Sequence, residues 1–448
     1  MSHKYSIGID LGTTNSSLAY ISESDKSEET ESFSIPQVTA SGEVEEEKLL
    51  PSALYLPGEH ELAEGAIALP WNKDAELTVG RFAREHGSTL PHRLISSAKS
   101  WLCHRAVDRR AAILPWGEED DVPRLSPIAA STKILEHLRS AWNQKIAKDD
   151  DEAKLEDQEV VITVPASFDA VARDLTVEAA RDAGIEDFYL LEEPQAAIYS
   201  WIGTQGDDWR KLVSLGDKIL VIDIGGGTSD FSLIEVEENE GDLSLRRIAV
   251  GKHIMVGGDN IDLALAKQIE ASLGEKFTPW QLCAAWHACR KGKEEILADP
   301  SIEEVPIVIP GRGSALVGGT LRASLSKEQV HSTALDGFFP AVDSDDTPKS
   351  PISAGLQEIG LPYESDPAIT KHLAAFLRAH APEGSELAHP TAILWNGGPL
   401  KAEMIRERLL STVSTWVKED GGESLRSLEG YELDLAVARG AARYAKVR

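Results

Sequence analysis

Short apolar runs alternate along the chain with segments whose apolar residues recur every three or four positions, the pattern of strands interleaved with amphipathic helices. IGIDLGTTNSSLAY, from Ile7, predicts an apolar strand ending in Asp, a small-residue turn and a second strand. SPIAASTKILEHLRSAWNQKI predicts a helix, VVITVP a buried strand, 168 to about 183 a helix, FYLLE a short strand, and Pro194 opens another helix. In the second half VIDIGGGTSDFSLI predicts a further strand–turn–strand unit. GGDNIDLALAKQIEASL, the segment 279–297 and PLKAEMIRERLLSTVSTWV predict helices, and EEVPIVIP and TAILW predict strands. The alternation places the fold in the α/β class. Segments 23–47, 149–157 and 343–366, rich in charge or in Pro, Ser and Asp, are expected to be irregular, solvated surface.

The two strand–turn–strand units echo each other. Asp10 aligns with Asp223, Gly12 with Gly225 and Ser16 with Ser229, each pair separated by 213 residues, close to half the chain. Two lobes built on one plan are therefore expected.

Composition narrows the function. In 448 residues, 45 Lys+Arg stand against 74 Asp+Glu, and the net charge of -29 opposes binding to nucleic acid or an anionic membrane. No run approaches the roughly 18 apolar residues that span a bilayer. Three scattered cysteines make no disulfide framework, and the N-terminus enters its strand pattern without a secretory signal, so a cytoplasmic protein is expected. Cys283, His287 and Cys289 lack paired metal-ligand spacing and read as part of an apolar helix.

A strand ending in Asp before a Gly/Thr-rich turn offers backbone N–H groups to an anion, and the small side chains let phosphate oxygens approach. One such turn is common in ordinary hairpins; two at matched positions carry more weight. Asp10 and Asp223 facing one polyphosphate would repel it unless a divalent cation intervened, and Mg²⁺, an oxygen-seeking ion that bridges to phosphates, fits. Gly397 and Gly398 follow a buried strand and precede a helix, and Gly257 and Gly258 open a helix with Asp259 in its first turn. Together the four Gly-rich turns suggest one nucleotide held in a cleft between two lobes.

IGIDLGTTNS, VITVPASF, LLEEPQAA, VIDIGGGTSDFSL, VGGDNIDLAL and AVARGAA resemble, in order, the signature segments of the nucleotide-binding domain of the heat-shock 70 chaperone family. The resemblance runs from Ile7 to Ala442. It implies a two-lobed actin-like ATPase fold with duplicated ribonuclease-H-like lobes: lobe I at 1–194, with helix 431–448 returning to it, and lobe II at 195–430. It implies ATP or ADP with Mg²⁺, and slow hydrolysis. By resemblance Gly12, Thr13, Thr14 and Asn15 meet the phosphates, opposed by Gly225, Gly226, Gly227 and Thr228. Asp10 and Asp223 hold Mg²⁺ through water, Lys99 is the catalytic lysine, and Glu193 positions the attacking water. Gly257, Gly258, Asp259, Arg290, Lys293, Gly397, Gly398 and Lys401 surround the nucleoside. Pro165 and Arg173 match the residues that relay nucleotide state to a peptide-binding domain.

Three departures stand out. Arg290 occupies the place of a glutamate near adenine, and Lys401 that of an arginine whose planar guanidinium would stack on the base, so phosphate binding is the firmer expectation. Glu192 replaces the usual Asn, with Tyr189 where a basic residue is expected, which puts J-domain docking in question, as the exchange factor is. The family's peptide-binding domain is absent from the chain, which is expected to be a fragment of a longer protein and a monomer. Segment 337–373 has no counterpart and is expected to be an insertion. Two other readings stay open on the same fold: a small-molecule kinase, with Asp230 as the candidate base, and an actin-like filament protein.

Overall fold

The computed structural model describes residues 3–25, 29–117, 122–239, 242–311, 319–349, 361 and 363–448. The chain divides into two units: Met1–Val213 with Glu429–Arg448, and Ser214–Gln357 with Pro362–Leu428. Residues 350–360 and 362, within the expected 337–373 insertion, lie outside the described residues.

The sheet of the first unit sets strands Tyr189–Glu192, Glu159–Val164, Tyr5–Asp10, Asn15–Ser22 and Glu31–Ser32 side by side in that order. The first three are parallel and the last two antiparallel additions. The second unit orders Arg426–Leu428, Ala392–Asn396, Lys218–Ile224, Ser229–Asn239 and Asp242–Val250 with the same directions. The echo in sequence is thus a repeat of topology. The inner strands of each sheet are covered on both faces, so Ile7, Ile9, Val161 and Ile162, and likewise Ile219 to Ile222, are buried without alternation.

Helix Ala436–Val447 contains the AVARGAA segment, and its small residues allow close packing. A Cβ on Gly8 would lie 2.2 Å from the Ala438 carbonyl, and one on Gly440 would lie 1.7 Å from that of Ala196. The helix therefore rests almost backbone to backbone on strand Tyr5–Asp10 and helix Glu193–Gln205. Trp142, on helix Pro127–Lys145, meets Tyr5 and Tyr20 edge-on at 5.2 and 5.1 Å.

Two of the segments expected to be irregular are built in. Ile35–Ala40 pairs with Glu43–Glu47, because Arg81 reaches Glu47 at 2.6 Å and Lys145 reaches Glu46 at 2.5 Å, countering the charge that suggested a solvated loop. In 149–157, Lys4 pairs with Asp150 at 2.7 Å and the Trp142 indole donates to the Ala153 carbonyl at 2.9 Å. No helix among the described residues is long and apolar enough to cross a membrane.

Candidate functional site

In the first unit, Asp10 closes its strand opposite Ser17 on one side and Thr163 on the other. The turn that follows is pinned from outside, since Ser52 donates its backbone N–H to the Thr14 carbonyl at 2.9 Å and its hydroxyl to that of Gly12 at 2.7 Å. A Cβ on Gly12 would meet the Asn15 carbonyl at 2.0 Å, so the tight turn admits only glycine there. Thr13, Thr14 and Asn15 are half-buried. The Thr14 hydroxyl is buried with no hydrogen-bond partner among the described residues, and as a donor it fits an anion's oxygen.

Lys99 and Glu193 form an ion pair, each 8% exposed. Lys99 lies on the short helix Ala98–Trp101, which follows Ser97 at φ 56°, a left-handed conformation that few residues other than glycine adopt. Glu193 begins helix Glu193–Gln205, directly after the edge strand. Burial raises the pKa of Asp10, opposed by the charge of Lys99 and by a 3.3 Å hydrogen bond from the Thr163 hydroxyl. Asp10, Lys99 and Glu193, distant in sequence, thus share one electrostatic neighbourhood. A buried carboxylate whose charge is only partly compensated suits a cation, so the donors present fit Mg²⁺.

Next to this pair stands a second one. Arg173 donates to Glu192 at 2.9 Å and also to the carbonyls of Ala166 and Phe168, each at 3.2 Å, clasping the turn after Pro165. Glu192 and Glu193 therefore serve different cations. Tyr189 is exposed at the sheet edge.

The second unit gathers three of the glycine turns. Gly225 N–H donates to the Thr228 carbonyl at 2.9 Å, while Gly258 and Asp259 donate to the carbonyls of Gly225 and Gly226 at 3.0 and 2.7 Å. Carbonyls that would repel a phosphate are thereby occupied by the start of helix Gly258–Leu273. A Cβ on Gly257 would come within 2.4 Å of the Gly226 carbonyl, so Gly257 serves this approach of one turn to the other. Gly397, at φ 95°, closes on the Ile224 carbonyl, and Pro399 and the Lys293 amine lie 3.0 and 3.6 Å from where a Cβ of Gly258 would be. Gly398 and Lys401 are exposed, on the turn Gly398–Lys401.

Asp223 pairs in register with Asn396 as Asp10 does with Thr163. Neither Thr163 nor Asn396 was singled out in the sequence, although Thr163 stands in VITVPASF and Asn396 directly follows TAILW; only the shared topology shows them to be equivalent. The Asn396 side-chain oxygen is buried without a hydrogen-bond partner among the described residues.

Arg290 is held by neighbours within the second unit. Its guanidinium binds Asp259 at 2.7 Å and Asp262 at 3.2 Å and lies 5.3 Å over the Trp286 ring, while Lys293 pairs with Asp262 at 2.7 Å. Burial alone would lower the pKa of Arg290, but the two aspartates outweigh it and the net shift is upward. Cys283 and Cys289 lie on the same helix, Pro279–Ala298, where burial pushes both thiols up to about 12. At that value they are protonated and poor metal ligands.

The family described as Hsp70 protein matches residues 6–279. The chain is 29% identical over 342 residues to a Chaperone protein HscA homolog of Bordetella petrii, covering 74% of this chain and 46% of that one. It is 27% identical over 310 residues to the Acinetobacter baumannii protein of the same name, covering 67% and 43%. For that of Pasteurella multocida the figures are 26% over 412 residues, with 79% and 57% covered. The chain thus spans about half the length of the curated relatives it matches.

Proposed function

The chain belongs to the Hsp70 family, whose nucleotide-binding domain is a Mg²⁺-dependent ATPase on the two-lobed actin-like fold, and from that premise we propose the residues that do its work. Gly12 to Asn15 and Gly225 to Thr228 receive the phosphates. Gly257, Gly258, Asp259, Arg290, Lys293, Gly397, Gly398 and Lys401 form the surroundings of the nucleoside. Asp10 and Asp223 hold Mg²⁺, which when bound neutralises phosphate charge. Lys99 holds the Glu193 side chain in place by pairing with it, so that Glu193 can accept a hydrogen bond from a water and orient it for in-line attack, and Lys99 offsets charge on the transferring group. The observation that carries this reading is the buried Lys99–Glu193 pair beside Asp10, three charged residues brought together from separate segments.

We propose further that the domain serves a chaperone, passing its nucleotide state through Arg173 and the Pro165 turn to a peptide-binding region. Support comes from the names and greater length of the relatives and from the Arg173 clasp on that turn. A monomer in the cytoplasm accords with the high net charge and the free, scattered cysteines. The test is linkage: a ligand at 100 times its Kd stabilises the native state by about 2.7 kcal/mol, and Mg·ATP at millimolar concentration should raise the melting temperature by several degrees. No shift would refute the reading.

A further inference from the structure

Segment 337–373 lies outside residues 6–279, those the family matches, yet its described residues are built into the second unit. The Trp416 indole donates to the Val342 carbonyl at 2.7 Å, and the Thr370 hydroxyl donates to that of Pro340 at 2.8 Å. Asp366, 4% exposed, ties the two limbs of the segment together. Its carboxylate accepts the backbone N–H groups of Lys349 at 3.0 Å and Ala368 at 3.1 Å and pairs with Lys371 at 3.2 Å. Glu364 N–H then donates to the Met255 carbonyl at 3.3 Å, two residues before the turn at Gly257. Tyr363, the residue before Glu364, thereby comes into the surroundings of Asp259 and Arg290. It is half-buried, and burial and the Asp259 charge raise the pKa of its hydroxyl while Arg290 opposes them. With that end desolvated and protonated, what Tyr363 offers a ligand is its ring. The Gly398–Lys401 turn belongs to the same neighbourhood, since Pro399 lies 3.0 Å from where a Cβ of Gly258 would be. That turn carries Lys401 where the resemblance expects a planar guanidinium to stack on the base.

We propose that Tyr363 is a specificity-determining residue of the nucleotide site: its ring supplies the flat surface on which the base stacks, the part Lys401 cannot play. The inference rests on the assignment of Asp259, Arg290 and Lys401 to the nucleoside. Stacking on an aromatic ring engages the π-face of the base and no phosphate oxygen. Tyr363 therefore contributes to the binding of the base and leaves that of the triphosphate to the glycine turns and Mg²⁺.

The test measures, on the full chain, equilibrium binding of Mg·ATP and of Mg·ribose 5-triphosphate, which keeps the sugar and phosphates and lacks the base. Tyr363→Ala should weaken ATP by about fivefold or more, and ribose 5-triphosphate by less than about twofold. Tyr363→Phe, which keeps the ring and loses only the hydroxyl, should bind ATP as the wild type does. If Tyr363→Ala does not fold, Tyr363→Leu keeps apolar bulk without a flat face and should show the same selective loss. A smaller loss for ATP, or equal losses for Tyr363→Phe and Tyr363→Ala, overturns the proposal. So does a parallel loss for ribose 5-triphosphate, which would make Tyr363 a support of the Gly257 turn. Failure of the wild-type chain to bind Mg·ATP at all would instead refute the proposed function.

Discussion

Lys99 and Glu193 are charged side chains in surroundings that exclude water, and each is tolerable because the other is present. Removing one takes the close counter-charge from the other at a cost of about 3 kcal/mol, whereas removing both costs less than the sum of the single losses. Because their proposed contacts are to the transferring phosphoryl group and the attacking water, Lys99→Ala and Glu193→Ala should slow single-turnover hydrolysis by about 100-fold or more. Nucleotide affinity should change far less. Urea unfolding of both single variants and the double variant, with equilibrium binding on the same samples, checks both halves. Equal losses in rate and affinity for Lys99→Ala would contradict its role. The two residues were legible in the sequence only through the resemblance, since a lone lysine in SSAKSWL has no local feature that separates it from a surface charge.

At the scale of elements, helix Pro127–Lys145 is stapled to strand Ile35–Ala40 by His137, whose Nε2–H donates to the Pro36 carbonyl at 2.9 Å. Its ring also meets Trp71 edge-on at 5.2 Å. Burial draws the His137 pKa from 6.5 down to about 4, against a smaller opposing effect of the carbonyl. Between those values the unfolded chain binds the proton that the folded chain refuses, so stability is complete above about 6.5 and is lost as pH falls toward 4. By pH 5 the loss from this group is about 2 kcal/mol. His137→Gln should remove that part of the slope, as measured by urea unfolding at pH 7.5 and pH 5; an unchanged slope would show that other groups set it. The strand this helix grips lies in a segment whose acidic composition suggested a loop. Composition misleads there because Arg81 and Lys145, remote in sequence, supply the counter-charges.

For the whole molecule, a net charge of -29 means that self-repulsion opposes the folded state at low ionic strength. Salt shortens the reach of that repulsion to about 10 Å at 0.1 M, while exposed ion pairs that salt also weakens contribute little each. The melting temperature should therefore rise as NaCl goes from about 10 to about 150 mM, well below the range of specific salt effects. A fall over that range would mean that the ion pairs, rather than the excess carboxylates, dominate the electrostatics.

The order of strands and helices, the duplicated plan and the glycine turns were readable along the chain, because periodicity and turn chemistry are local properties. The spacing of 213 residues between Asp10 and Asp223 already implied that two sheets would share a design. Tertiary structure alone decided which charges meet. Arg290, which the resemblance sets near a base, also binds Asp259 and Asp262. Glu192 and Glu193, adjacent in sequence, separated toward Arg173 and Lys99. Asp230 found His253 across a turn, and Asn396 proved the counterpart of Thr163. Strand register and helix packing set these pairings across dozens of residues, whereas the strength of an ion pair depends on ångströms and on burial, neither of which is written in the spacing of residues along one chain.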